Sequence, residues 1–159
     1  MKVIICVGLP GSGKSTWAKK EIEEKTEQGE KWIRLNRDSI RDMFCCGYSK
    51  DSEPLVRFVE WDSITTALNF GYNIIVDDTN LTEDHILKIT SAIFKRTYKE
   101  EVFVDFKVFL DVPVEECKKR NALRPDKTRV PDHEIDRMAI LANELKLKLE
   151  NEKYRNKQF

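Results

Sequence analysis

The residues best equipped for chemistry begin at Gly8. The run Gly8-Leu9-Pro10-Gly11-Ser12-Gly13-Lys14-Ser15-Thr16 fits the P-loop pattern, G-x-x-x-x-G-K-[ST]. In that pattern glycines let successive backbone N–H groups point at phosphate oxygens, and the following helix adds its positive N-terminal end. Lys14 is then placed to reach the β- and γ-phosphates of a nucleoside triphosphate, and Ser15 to ligate Mg²⁺. Asp38 is a second kind of group. A carboxylate at the end of a second strand is well placed to take the proton of an attacking hydroxyl. Asp is equally a good N-cap, and one side chain can hardly face both the helix N–H groups and a substrate. Arg37 and Arg41 flank Asp38; a cation beside an activating carboxylate suits an anionic acceptor, whereas exposed arginines on a short helix are commonly just solvated.

Asp77 and Asp78 close an apolar run in the manner of an acid that holds Mg²⁺ through water. The alternatives are that one of them orients Arg41 or caps Thr79-Asn80. The densest basic segment is Lys118, Lys119, Arg120, Arg124, Lys127 and Arg129. A loop bringing one or two of these arginines over the phosphates would neutralise charge developing during transfer. Lys118 and Lys119 read instead as the solvated face of a helix.

These groups need elements to position them. Val3 to Val7 is a β-branched-rich run of the kind a buried parallel strand requires, and it leads straight into Gly8. A helix is expected from Lys14 to about Glu27, closing at Gln28-Gly29. Further strands are expected at Trp32–Asn36, Asn73–Val76 and Val102–Leu110. Helices are expected from Asp38 to about Phe44, from Pro54 to Gly71, from a Thr82 cap through about Tyr98, from Pro113, and from Asp132 to about Glu152. In the Pro54 helix, Leu55, Phe58, Val59, Trp61, Ile64 and Leu68 fall at helical spacing as a core-facing stripe. In the last helix Ile135, Met138, Ala139, Leu141, Ala142, Leu145 and Leu149 do the same. Strands alternating with helices imply right-handed βαβ units, here an α/β fold with a four-stranded parallel sheet covered by helices on both faces. Ligands of such sheets bind beyond the carboxyl ends of the strands. Gly8 onward, Asp38, Asp78, and Arg120 with Arg124 all fall there.

The 159 residues, 40% of them hydrophobic, suit a single domain spanning 1–159, with a lid at about 120–131 and a C-terminal helix at about 132–152. Lys+Arg and Asp+Glu are 28 each, so no global field pulls the chain toward a polyanion or an anionic membrane. Any grip on nucleic acid must be local. Cys6, Cys45, Cys46 and Cys117 show no C-x-x-C spacing, which points to reduced thiols and a cytoplasmic protein without structural zinc. The N-terminal apolar run is too short for a signal-peptide core or a membrane span.

The order and spacing of four motifs resemble the bacteriophage-type polynucleotide 5'-hydroxyl kinases. They are Gly8 to Trp17; Asn36-Arg37-Asp38 with Arg41; Asp78-Thr79-Asn80-Leu81; and Val112-Pro113 with Lys119-Arg120-Asn121 and Arg124. The resemblance runs from Lys2 to about Met138 and implies a P-loop kinase fold that uses ATP, or another NTP, with Mg²⁺. It implies that Asp38 is the general base and that Arg41 holds the phosphate next to the attacked 5' end. Arg120 and Arg124 would form the lid, with Arg124 catalytic beside Lys14, and Asp78, Thr79 and Asn80 would lie on the substrate side. The implied acceptors are 5'-hydroxyl ends of DNA or RNA, in end repair alongside a separate ligase or phosphatase. The sequence ends where the phage enzymes' phosphatase domain would begin and has no Asp-x-Asp-Gly-Thr motif, so kinase activity without end-trimming is expected. A P-loop kinase of a small metabolite or nucleoside is the alternative. A nucleotide-dependent binding protein without transfer activity is a third reading.

Overall fold

The computed structural model describes residues 1–96 and 102–155. Four strands, β1 (Lys2–Val7), β2 (Trp32–Leu35), β3 (Asn73–Val76) and β4 (Phe103–Val108), form one sheet in the order β2-β3-β1-β4. Every pairing is parallel, with Ile4 opposite Ile75 and Asp105, and Ile33 opposite Ile74. Because β1 and β3 lie inside the sheet, both of their faces are buried. This is why they read as continuous apolar runs rather than alternating ones.

Among the described residues six α-helices cover the sheet: α1 (Lys14–Glu27), α2 (Arg37–Met43), α3 (Glu53–Asn69), α4 (Glu83–Arg96), α5 (Val114–Ala122) and α6 (Asp132–Arg155). On one face Val3, Ile5, Ile74 and Val76 pack with Ile64 and Leu68 of α3 and Ile89 and Ile93 of α4. On the other, Ile4, Cys6 and Ile75 meet Ala18 of α1 and Trp32. A third cluster joins Val7 and Leu9 to Cys117 of α5 and Ala139, Ala142 and Leu145 of α6, so the last helix packs at the carboxyl end of the sheet, beside the P-loop. Cover is thinnest at the edge strand β4, where Phe103 and Phe106 are exposed.

Most elements fall where their residues predict, with two differences that matter. Asn36, expected at the end of a strand, instead caps α2: its side-chain oxygen accepts the Ser39 N–H at 3.1 Å. The inward stripe of α3 is Glu53, Val56, Glu60, Ile64, Ala67 and Leu68. Leu55 and Phe58, expected inside, are 52% and 55% exposed. Thr82 caps α4 as expected, accepting the His85 N–H at 3.3 Å. The expected extension of that helix to Tyr98 lies outside the described residues.

Candidate active site

The P-loop joins β1 to α1 through left-handed glycines. Gly11 (φ +81°) and Gly13 (φ +97°) take a backbone that other residues adopt only with strain. At Gly11 space forbids a side chain as well, since a Cβ would stand 2.2 Å from the Cys117 carbonyl oxygen. Helix α5 therefore lies directly on the loop, and its next turn carries Arg120 to within reach of Gly13. The Gly8 N–H donates to the Thr79 carbonyl at 2.9 Å, and the Asn80 amide donates to the Cys6 carbonyl at 2.8 Å. Thr79 and Asn80, expected on the substrate side, thus stand where they brace the P-loop against the end of β3. Asn80 is buried, in a left-handed conformation of φ 45°.

A cleft of about 550 Å³ opens at this loop, lined by Gly11, Gly13, Lys14, Ser15, Thr16, Trp17, Lys20, Arg120 and Arg124. Lid and P-loop residues expected to share a ligand are therefore brought together. Lys14 is buried and donates to the Leu9 carbonyl at 2.6 Å. Burial pushes its ammonium down to about 8; the Asp77 carboxylate works against that fall and the Arg124 charge adds to it. A phosphate arriving beside Lys14 would restore its full charge. Asp77 accepts the Arg34 Nε–H at 2.6 Å, while its other oxygen, Oδ1, is buried with no hydrogen-bond partner among the described residues. The segment expected to form a lid is tied at its base by the buried Asn121, which donates to the Val130 carbonyl at 2.7 Å and accepts the Val130 N–H at 3.1 Å.

The second half of the site is a charged network around α2. Because Asn36 provides the cap, Asp38 is released from that task, and its side chain is 67% exposed. It pairs with Arg41 one turn on, and Arg41 Nε donates to Glu53 Oε1 at 2.7 Å. Burial opposes the Arg41 charge, but the hydrogen bond and charge of Glu53, then the charge of Asp38, outweigh it and raise its pKa. Asp78 accepts the Arg37 N–H at 3.2 Å, and its other oxygen lies 3.5 Å from Arg37 Nε. Glu60 is 0% exposed, 3.8 Å from the same Nε. Burial first, and then the Asp78 carboxylate, push Glu60 up to about 9, so it is protonated at neutral pH. His85 borders this network; burial, then the Arg37 charge, push it down to about 4, leaving it neutral.

The two aspartates left open by sequence are thus separated: Asp77 turns to Arg34 and the field of Lys14, and Asp78 to Arg37 and Glu60. The orientation of Arg41 comes from Glu53. Sequence reasoning missed Glu53, Glu60 and the Asn36 cap. Asn36 carries a recognisable signal, an N-cap residue directly before a short helix. The glutamates carry a weaker one, two acids seven residues apart on a stripe otherwise occupied by Val56, Ile64 and Leu68.

The residues also fit a magnesium ion. Ser15 faces the cleft and Asp77 keeps an unpartnered oxygen near Lys14. Among the described residues no group of three or more His, Cys, Asp or Glu side chains could hold a metal ion. Mg²⁺ needs no such cage, because it is bound through substrate phosphates, water and one or two protein groups. No helix among the described residues is long and apolar enough to cross a membrane.

A parallel sheet ordered β2-β3-β1-β4, with a glycine-built cradle after β1 and Arg120 and Arg124 lining the same cleft, defines a P-loop domain of the kinase fold. The chain belongs to the AAA_33 family, described as an AAA domain, whose model matches residues 3–145. Among solved structures it is similar to a chain of the Pnkp1/Rnl/Hen1 RNA repair complex, with 30% identity and a TM-score of 0.77 over 92% of this chain and 45% of that one. This chain thus spans less than half the length of that relative. It shares its fold with the Mycobacterium tuberculosis APS kinase CysC in complex with AMPPNP and APS, at 19% identity and TM-score 0.64 over 91% and 96% of the two chains. Chaetomium thermophilum Kti12 in complex with ADP-AlF3 has the same fold at 16% identity and TM-score 0.63, over 87% and 79%.

Proposed function

We propose that this chain transfers the γ-phosphate of ATP to the 5'-hydroxyl end of a nucleic-acid strand, DNA or RNA. The observation that carries the proposal is Asp38: relieved of helix capping by Asn36, exposed, and paired with an arginine that Glu53 holds in place. A general base must be open to its substrate rather than committed to capping its own helix, and Asp38 meets both conditions.

Asp38 takes the proton of the 5'-hydroxyl as its oxygen attacks the γ-phosphorus. The bond from that phosphorus to the bridging oxygen breaks, and ADP leaves. Lys14 and the lid arginines Arg120 and Arg124 meet the charge that develops on the phosphoryl oxygens. Arg41 holds the strand's first phosphate, which sets the hydroxyl before Asp38. Mg²⁺, held by Ser15 and through water by Asp77, would neutralise charge on the bridging and terminal phosphate oxygens. The likeness to a chain of an RNA repair complex supports end repair as the setting, with a separate ligase or phosphatase acting on the same ends.

Purified protein with γ-labelled ATP is expected to label a 5'-hydroxyl oligonucleotide and leave the same oligonucleotide unlabelled when it already carries a 5'-phosphate. Transfer to nucleosides or small metabolites alone would make the chain a metabolite kinase. Transfer to nothing would make it a nucleotide-dependent binding protein.

A further inference from the structure

The connection from α2 to α3 is a shaped turn. Cys45 takes a left-handed backbone (φ 51°) just past the end of α2. The Cys46 N–H then returns to the Arg41 carbonyl at 3.0 Å. Beyond it Ser49 and Ser52 lock together: each hydroxyl accepts the other residue's N–H, at 3.0 and 3.1 Å, and the Ser52 hydroxyl donates to the Gly47 carbonyl at 2.8 Å. Tyr48 sits inside this knot and is 80% exposed. Its ring has a fixed neighbour, since the Arg41 guanidinium carbon lies 5.5 Å from the ring centre. Arg41 is itself held by Glu53 and Asp38.

A loop that uses its serine hydroxyls to hold an aromatic ring in water, beside a partly buried cation, presents a flat apolar surface next to a phosphate-binding group. Single-stranded nucleic acid is bound by that pair of features, a cation for the backbone and a ring for the base. We propose that Tyr48 is a stacking platform for a nucleobase of the acceptor strand, the base adjoining the phosphate held by Arg41. The inference rests on the polynucleotide reading above and deepens it: the acceptor is recognised as a single strand, through one phosphate and one base face, with little regard to base identity. An acceptor without a base would leave the ring with nothing to cover.

The test is steady-state phosphorylation by wild type, Tyr48→Ala and Tyr48→Phe on 5'-hydroxyl oligonucleotides, either intact or with one abasic site moved through the first few nucleotides. Tyr48→Ala is expected to raise KM for the intact strand by about ten-fold or more, the loss of one base–aromatic stack. It should leave kcat and KM for ATP nearly unchanged, and Tyr48→Phe should match wild type. At one abasic position wild type should lose a similar amount and Tyr48→Ala nothing further. If wild type is active and Tyr48→Ala equals it on the intact strand, stacking is overturned and the polynucleotide reading stands. Stacking is also overturned if the alanine penalty persists at every abasic position, because the ring would then only steady Arg41. A wild-type protein that labels no 5'-hydroxyl oligonucleotide overturns both.

Discussion

The P-loop half and the α2 half of the site are built from different materials. Around β1 and α1 the working groups are backbone N–H donors, set by glycines at φ +81° and +97°, with one buried lysine among them. Around α2 they are side chains brought from separate elements: Asp38 and Arg41 from α2, Glu53 and Glu60 from α3, and Asp78 from the end of β3. A backbone cradle suits a ligand whose phosphates are always the same. A side-chain network can be exchanged residue by residue, and related folds can present different acceptors to one donor site. The difference also bears on stability. The P-loop half buries one cation that the phosphates of a ligand would compensate, whereas in the α2 half Glu53 answers Arg41, Asp78 answers Arg37, and the buried Glu60 is held toward its protonated form.

The largest effect expected from breaking this arrangement is at Asp38. Asp38→Asn should lower kcat by about a hundred- to ten-thousand-fold on any acceptor, read by single-turnover phosphorylation. Its thermal midpoint should stay near that of wild type because Asn36 keeps the cap. Retained activity with a lowered midpoint would make Asp38 structural, and the α2 half would lose its chemical role. Arg124→Ala, on the donor side, should lower kcat by about a hundred-fold with the fold intact. Lys118→Ala should change kcat little, because Lys118 points away to Asp136 of α6 at 2.6 Å. Equal losses from both would mean that the basic segment acts as a diffuse patch.

The smallest effect is thermodynamic. The Glu60 carboxyl is raised from 4.5 to about 9 in the folded protein, so the folded state holds a proton that the unfolded chain has released. Its contribution is fully present below about pH 4.5 and is lost as pH rises toward 9. Glu60→Gln removes that linkage while keeping the shape. It should match wild type in urea unfolding near pH 4.5 and exceed it by a margin that grows as pH rises toward 9. A variant that is less stable at the higher pH would show that Glu60 is ionised and paired with Arg37.

Much of this was legible from residue order. Strands β1 and β3, the P-loop and α1 fall where local pattern puts them, because apolar runs, glycines and helix formers act over a few neighbouring residues. The stripe of α3 is the instructive failure. Hydrophobic periodicity places Leu55 and Phe58 inside, yet the helix turns Glu53 and Glu60 inward. That end of α3 faces Arg37, Arg41 and Asp78 rather than the apolar middle of the sheet. A buried carboxyl beside a guanidinium or another carboxyl is tolerable where a buried leucine would strand the arginines without partners.

The sequence by itself determined the phosphate cradle, since its backbone conformation strongly favours glycine and the constraint acts within a few residues. It also determined the parallel α/β architecture, through the alternation of strand and helix patterns. Only the tertiary structure decided which acid serves which base. Arg41 meets Glu53 twelve residues away, and Arg37 meets Asp78 forty-one away. Those pairings, and with them the freedom of Asp38, depend on how α2, α3 and β3 close over one another, because charge has no period in sequence and finds its partner only through space.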